Sequence, residues 1–181
     1  MIYKKSWKYI LKHRYTYGLY KIKAVKDFSD VKKRDLGGFV DGFKNLSQTG
    51  NCWIYNFAVV KDNAVVSGNT RVKDRASICD NAVISDNACI YEDAKVYENA
   101  RITGNARVYG ISQVYGNATV CEDARIYEEA VVSGNAVVSG NAEAGRTAWI
   151  SNDILVCDNA KVYGCAVTSG KSKIFGDMII Y

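Results

Sequence analysis

The residues able to do chemistry are few and scattered: one histidine (His13), six cysteines, and pairs of acids at intervals along the chain. A lone imidazole excludes every mechanism that needs two or three, including a three-histidine metal site. His13 could act as a general base, yet it stands ahead of the regular part of the sequence and reads as a surface residue. Cys52, Cys79, Cys89, Cys121, Cys157 and Cys165 include no CxxC pair. They read as six reduced thiols of a cytoplasmic protein, with no metal and no cofactor. The paired acids Glu92-Asp93, Glu122-Asp123 and Glu128-Glu129 read as solvated polar residues.

Whatever site exists must be positioned by a repeat. From Cys52 onward a small residue recurs every six positions (Ala64, Thr70, Ala76 and so on to Ala166 and Ser172), and two residues after each runs an aliphatic register from Ile54 through Val108 to Ile180. Only Ala144 and Thr168 break the aliphatic rule. Small, outward, aliphatic, outward is a four-residue alternating strand, as in Ala64-Val65-Val66-Ser67. The pair that follows, such as Gly68-Asn69, suits a tight corner because Gly and Asn tolerate positive φ. A strand and a corner every six residues predict an all-β, triangular parallel coil with 18 residues per turn. Residues 52–181 then make about seven coils, a stack roughly 34 Å long. Both inward registers should be buried from residue 52 to the end.

Counting in steps of 18 yields surface columns. One reads Lys73, Tyr91, Tyr109, Tyr127, Gly145, Tyr163 and Tyr181; its neighbour on the same face reads Arg71, Cys89, Arg107, Arg125, Glu143, Lys161 and Ile179. Stacked tyrosines stabilise such a ladder by themselves. Guanidinium groups beside phenol rings also suit an anionic, partly apolar partner. The coil 142–157 is irregular, with Ala144 in an aliphatic slot and Ile154 in a small one; outside it carries Arg146 and Trp149, and Gly145 should open a notch in the tyrosine ladder. The candidate binding residues are Arg71, Lys73, Tyr91, Arg107, Tyr109, Arg125, Tyr127, Arg146, Trp149, Lys161 and Tyr163. No two cysteines share the 18-residue step, and Cys121 and Cys157, two coils apart at about 9.6 Å, are too far for a disulfide.

Residues 1–51 lie outside the repeat and read as a cap over the exposed first coil. The segment 1–35 holds eleven Lys/Arg and three Asp/Glu, leaving thirteen and sixteen for the rest, so the net charge of +5 belongs to the cap. Thr16-Tyr17-Gly18 could turn between β-rich stretches over 6–15 and 19–26. Trp7, Ile10 and Leu11 are equally compatible with a short amphipathic helix. Gly37-Gly38 and Gly42 mark a loop before Leu46 enters the coil. The N-terminus lacks the pattern of a signal peptide, and no apolar run approaches the roughly 20 residues of a membrane span.

The stretch LYKIKAVKDFSDVKKRDLGGFVDGFKNLSQTGNCWIY (19–55), followed by the hexapeptide run, resembles the YdcK-like hexapeptide-repeat proteins of bacteria and phages. The resemblance implies a left-handed parallel β-helix with an N-terminal cap over 1–51 and a solenoid over 52–181, and a phage or mobile-element origin. Hexapeptide acyltransferases share such repeats, but they use a histidine to deprotonate the acceptor. Here the repeats hold no histidine and no loop insertion. The expectation is a non-catalytic scaffold that binds a macromolecule through a flat face, with inhibition of a host defence complex as one use. An acyltransferase-like enzyme with an unrecognised site is the alternative. The expected partner is an acidic or mixed protein surface, then nucleic acid; a homo-oligomer is expected as well, through Met178, Ile179 and Ile180 or through the face of Val65, Val83 and Val137 beside Ser67, Ser85 and Ser139.

Overall fold

The computed structural model describes residues 7–15, 18–164, 167–168 (backbone only) and 171–181. The turn residues Thr16 and Tyr17, and Cys165 and Ala166, lie outside them. From Trp53–Ile54 onward the chain lays down two-residue strands that fall into three parallel sheets, a β-solenoid of about eight turns. Each strand pairs with the strand 18 residues later, as Cys89 with Arg107 and Ile90 with Val108, Lys95 with Gln113, and Arg101 with Thr119. No helix among the described residues is long and apolar enough to cross a membrane.

The lumen is the core. Ala64, Ala76 and the other small residues, with Val66, Val108, Ile126 and their equivalents, are fully buried. The two polar residues in the small register are satisfied locally: Thr70 Oγ1 donates to the Ser67 carbonyl and Ser112 Oγ to the Tyr109 carbonyl, both at 2.8 Å. Ala144 and Ile154 are both buried, so the irregular coil keeps a closed interior. Among the described residues the expectation of burial fails only in the last coil, where Ser172 and Met178 are exposed and Ile180 is half-buried.

The corners differ from the sequence reading in an instructive way. The positive φ falls on the first corner residue, which is Gly or an acid at most corners, as at Asp86 (60°), Glu92 (59°) and Glu122 (61°), and another residue, such as Arg146 or Asn152, at others. The following Asn instead joins a vertical ladder, with Asn69 Nδ2 donating to Asn87 Oδ1 at 3.0 Å, Asn87 to Asn105 at 3.1 Å and Asn105 to Asp123 at 3.0 Å. Corner acids are not merely solvated either. Glu92 Oε2 accepts from the Gly110 N–H at 2.8 Å and Glu122 Oε2 from the Gly140 N–H at 2.6 Å. An acid on one coil thus satisfies a backbone donor that the ladder of the next coil leaves unpaired.

The N-terminal segment holds three strands paired antiparallel in sequence order. Strand β1 (Tyr9–Arg14) pairs antiparallel with β2 (Tyr20–Ala24), and β2 with β3 (Leu36–Val40). β3 then runs parallel to Val59–Val60, so the cap extends one solenoid sheet and no helix forms over 7–15. Gly37 and Gly38 are part of β3 rather than a loop: a Cβ at Gly37 would come within 2.6 Å of the Ile22 side chain, and one at Gly38 would meet the Ala58 carbonyl. Tyr9 and Phe28 pack edge-on against Trp53, at 6.3 and 5.4 Å, and bury it. Lys8 plugs the mouth of the lumen. Lys8 is 1% exposed, and its Nζ donates to the Cys52 carbonyl at 2.8 Å, with Cys52 Sγ at 3.2 Å.

Candidate functional site

The eight-stranded sheet presents the tyrosine and arginine columns side by side. Register pairs Arg71 with Cys89, Cys89 with Arg107, Arg107 with Arg125, Arg125 with Glu143, and Glu143 with Lys161. Beside them Tyr91 stacks on Tyr109 at 4.7 Å and 4°, and Tyr109 on Tyr127 at 5.3 Å and 11°. The stack is rigid because each ring is carried by a strand in fixed parallel register. Burial, reinforced by the neighbouring Tyr109 phenol, pushes the Tyr91 hydroxyl up to about 12.

Nine of the eleven candidate residues share this face. Arg146 does not; it sits at the following corner with φ of 56°. Trp149 pairs with Val131 on the adjoining sheet and is turned to a different face. A second, shorter tyrosine pair, Tyr97 on Tyr115 at 4.9 Å, stands on that adjoining sheet as well.

At its C-terminal end the face converges on one carboxylate. Glu143 Oε2 accepts from Tyr163 Oη at 2.7 Å and from Tyr127 Oη at 3.3 Å. Arg125 Nη1 and Lys161 Nζ each lie 3.8 Å from its oxygens, and its side chain is 19% exposed. Burial first, then hydrogen bonds to Tyr127 and Glu143, push the Tyr163 phenol well above its ordinary range. Gly145 leaves no open notch. A Cβ there would stand 2.6 Å from Tyr127 Cε2, because the Tyr127 ring leans over the glycine to reach Glu143. Sequence reasoning passed over Glu143 as a site residue, although its position signals the role: it is the one acid in a mainly basic column, 18 residues from both Arg125 and Lys161.

Toward the N-terminal end the face sinks into an open groove of roughly 780 Å³. Arg71, Cys89 and Arg107 form its floor, the asparagine ladder one edge, and Lys73, Asp74 and Tyr91 the other. Lys73 turns away from Tyr91 and holds its Nζ over the Tyr55 ring at 5.3 Å. The cap reaches this end as well: Asp30 Oδ1 accepts from Tyr55 Oη at 2.8 Å and lies 4.0 Å from Arg71 Nη2.

Other chemistry is thin. His13 is exposed on β1, outside the tyrosine–arginine face. Burial raises the thiols of Cys79, Cys89 and Cys121, which keeps them protonated and slow to react. Asp62, Cys79 and Asp80 bring ligand atoms within 4.8 Å of one another, a grouping that follows from the 18-residue step between the two aspartates. Asp62 already pairs with Lys61 Nζ at 2.9 Å, which supplies the positive charge at that corner.

Compared with known families, residues 112–128 match the YdcK beta solenoid repeat. No curated protein matches the chain. The matched segment spans Ser112 to Glu128, the middle of the stack, where the small and aliphatic registers are fully buried.

Proposed function

We propose that this YdcK-like β-solenoid repeat protein is a non-catalytic binding scaffold that engages an acidic protein surface through its tyrosine–arginine face. The observation that carries the reading is the registered double ladder: Arg71, Arg107, Arg125 and Lys161 beside the stacked Tyr91, Tyr109 and Tyr127. Arginine and tyrosine are the residues that anchor protein interfaces, and a ladder fixed before binding loses little entropy on association. A transferase of the hexapeptide type needs a base near its acceptor, and the single histidine stands on the cap hairpin. Nucleic acid fits less well, because Asp74, Asp123 and the corner acids border the basic column.

The test is a charge reversal, Arg107→Glu with Arg125→Glu, both exposed. The double variant should keep the native circular dichroism spectrum and release a partner captured from host lysate by the unaltered protein. Capture at an undiminished level would overturn the assignment of this face.

A further inference from the structure

The two ends of the tyrosine–arginine face differ in what their cations meet. Arg125 and Lys161 are committed to Glu143. Among the described residues no carboxylate lies within ion-pair distance of Arg107 or Lys73, and Arg71 pairs at 4.0 Å with Asp30, which is far more exposed than Glu143. Arg107 and Lys73, without a carboxylate partner, and Arg71, paired only with the half-exposed Asp30, therefore line the groove around Cys89. The amides of Asn69, Asn87 and Asn105 each spend one N–H on the next coil and keep a second to donate outward. Asp74 lies at the level of the first of these coils and Asp123 three coils further along.

Resting on the face being a binding surface, we infer that this groove takes a short acidic stretch of a partner protein, two or three carboxylates long. Arg71 and Arg107 are two coils apart, about 9.6 Å, which an extended peptide covers in about three residues. The guanidinium fork pairs with a carboxylate through two parallel hydrogen bonds, and the amide edge supplies further donors. Asp30, beside Arg71, and Asp123, one coil beyond Arg107, limit the length: an anion that continues past either end meets a like charge within a Debye length. A nucleic acid strand carries a charge on every nucleotide and runs over both. The groove thus selects an acidic cluster bounded by neutral or basic residues.

The experiment titrates the isotope-labelled full chain with a peptide of three consecutive glutamates in a glycine–serine context, followed by amide chemical shifts at low salt. Shifts should concentrate at 69–74, 87–91 and 105–107. Arg107→Ala, checked for folding by circular dichroism, should weaken binding about five-fold, while Arg101→Ala, at an exposed arginine on a different sheet, stays within about two-fold. No shift at millimolar peptide, shifts centred on 125–163, or tighter binding of an oligodeoxythymidine would each overturn the inference. Should it fall while the charge-reversed double variant still releases its captured partner, the binding face stands and only the groove is lost. If the peptide binds in the groove and the double variant keeps its partner, the groove stands and the wider face falls.

Discussion

Two halves of one sheet, built from the same residue types in the same register, behave as different surfaces. Around Glu143 the cations, the phenols and the carboxylate satisfy one another, and the face is closed on itself. Around Cys89 the same columns leave a groove in which Arg107 has no carboxylate partner and Arg71 has only the exposed Asp30. One position in each half decides this. Position 143 puts an acid where the column is otherwise mainly basic, and position 89 puts a short thiol where a long side chain would fill the space. A repeat fixes where side chains stand, and the departures from the repeat determine what they can bind.

Both halves hang on one lumen, so the largest effect should come from breaking it. Val108→Asp places an unpaired charge in a fully buried register and should cost about 3–5 kcal/mol, unfolding the chain or nearly so by thermal melting. A variant as stable as the parent would mean that the strand register is wrong and that neither half exists as described. Glu143→Gln should cost less, about 1–2 kcal/mol, because two phenol hydrogen bonds lose their charged acceptor. It also erases the difference between the halves: with Arg125 and Lys161 released, the triglutamate peptide should shift amides at both ends. Shifts confined to the groove would mean that Glu143 is not what holds those cations. Gly145→Ala should cost about 1 kcal/mol, since the new Cβ would push the Tyr127 ring off Glu143 without disturbing the backbone. Its mark should be a changed environment at Tyr127 and Tyr163 with the Tyr91 resonances unmoved.

The solenoid was legible because a six-residue period assigns every side chain to the inside or the outside, and a step of 18 then stacks the outside into columns such as Arg107 over Cys89. What failed were choices that two conformations satisfy equally well. Gly, Asp and Asn all tolerate positive φ, so the sequence did not show that Glu92 would take it and Asn87 would form the amide ladder. Trp7, Ile10 and Leu11 suit a helix or a strand, and only the pairing of Ile10 and Leu11 with β2 decides it. Glycine spacing gave Gly37-Gly38 as a loop, whereas their role is close approach to Ile54 and Ala58. The lean of Tyr127 over Gly145 is a rotamer choice made by Glu143 one coil away, which no local pattern encodes.

The smallest effect should separate the two halves by titration. Burial comes first in raising the phenols of Tyr91, Tyr109, Tyr127 and Tyr163, and at Tyr163 hydrogen bonding to Tyr127 and Glu143 adds to it. A phenol whose folded value lies above its unfolded value of about 10 favours the folded state in full below about pH 10. That contribution is lost as pH climbs through the folded value, about 12 for Tyr91. Melting midpoints should therefore be flat from neutral pH to about 9 and fall by a few degrees between about pH 10 and 12, for the tyrosine contribution alone. Phenolate absorbance assigns the loss to residues. Tyr91→Phe should remove a component that titrates near 12. Glu143→Gln should bring Tyr127 and Tyr163 to lower pH, since a neutral amide no longer opposes the phenolate, and leave the Tyr91 component in place. A downward move of Tyr91 in the same variant would mean that the halves are electrostatically one surface. The partition between a closed end and an open groove would then be wrong.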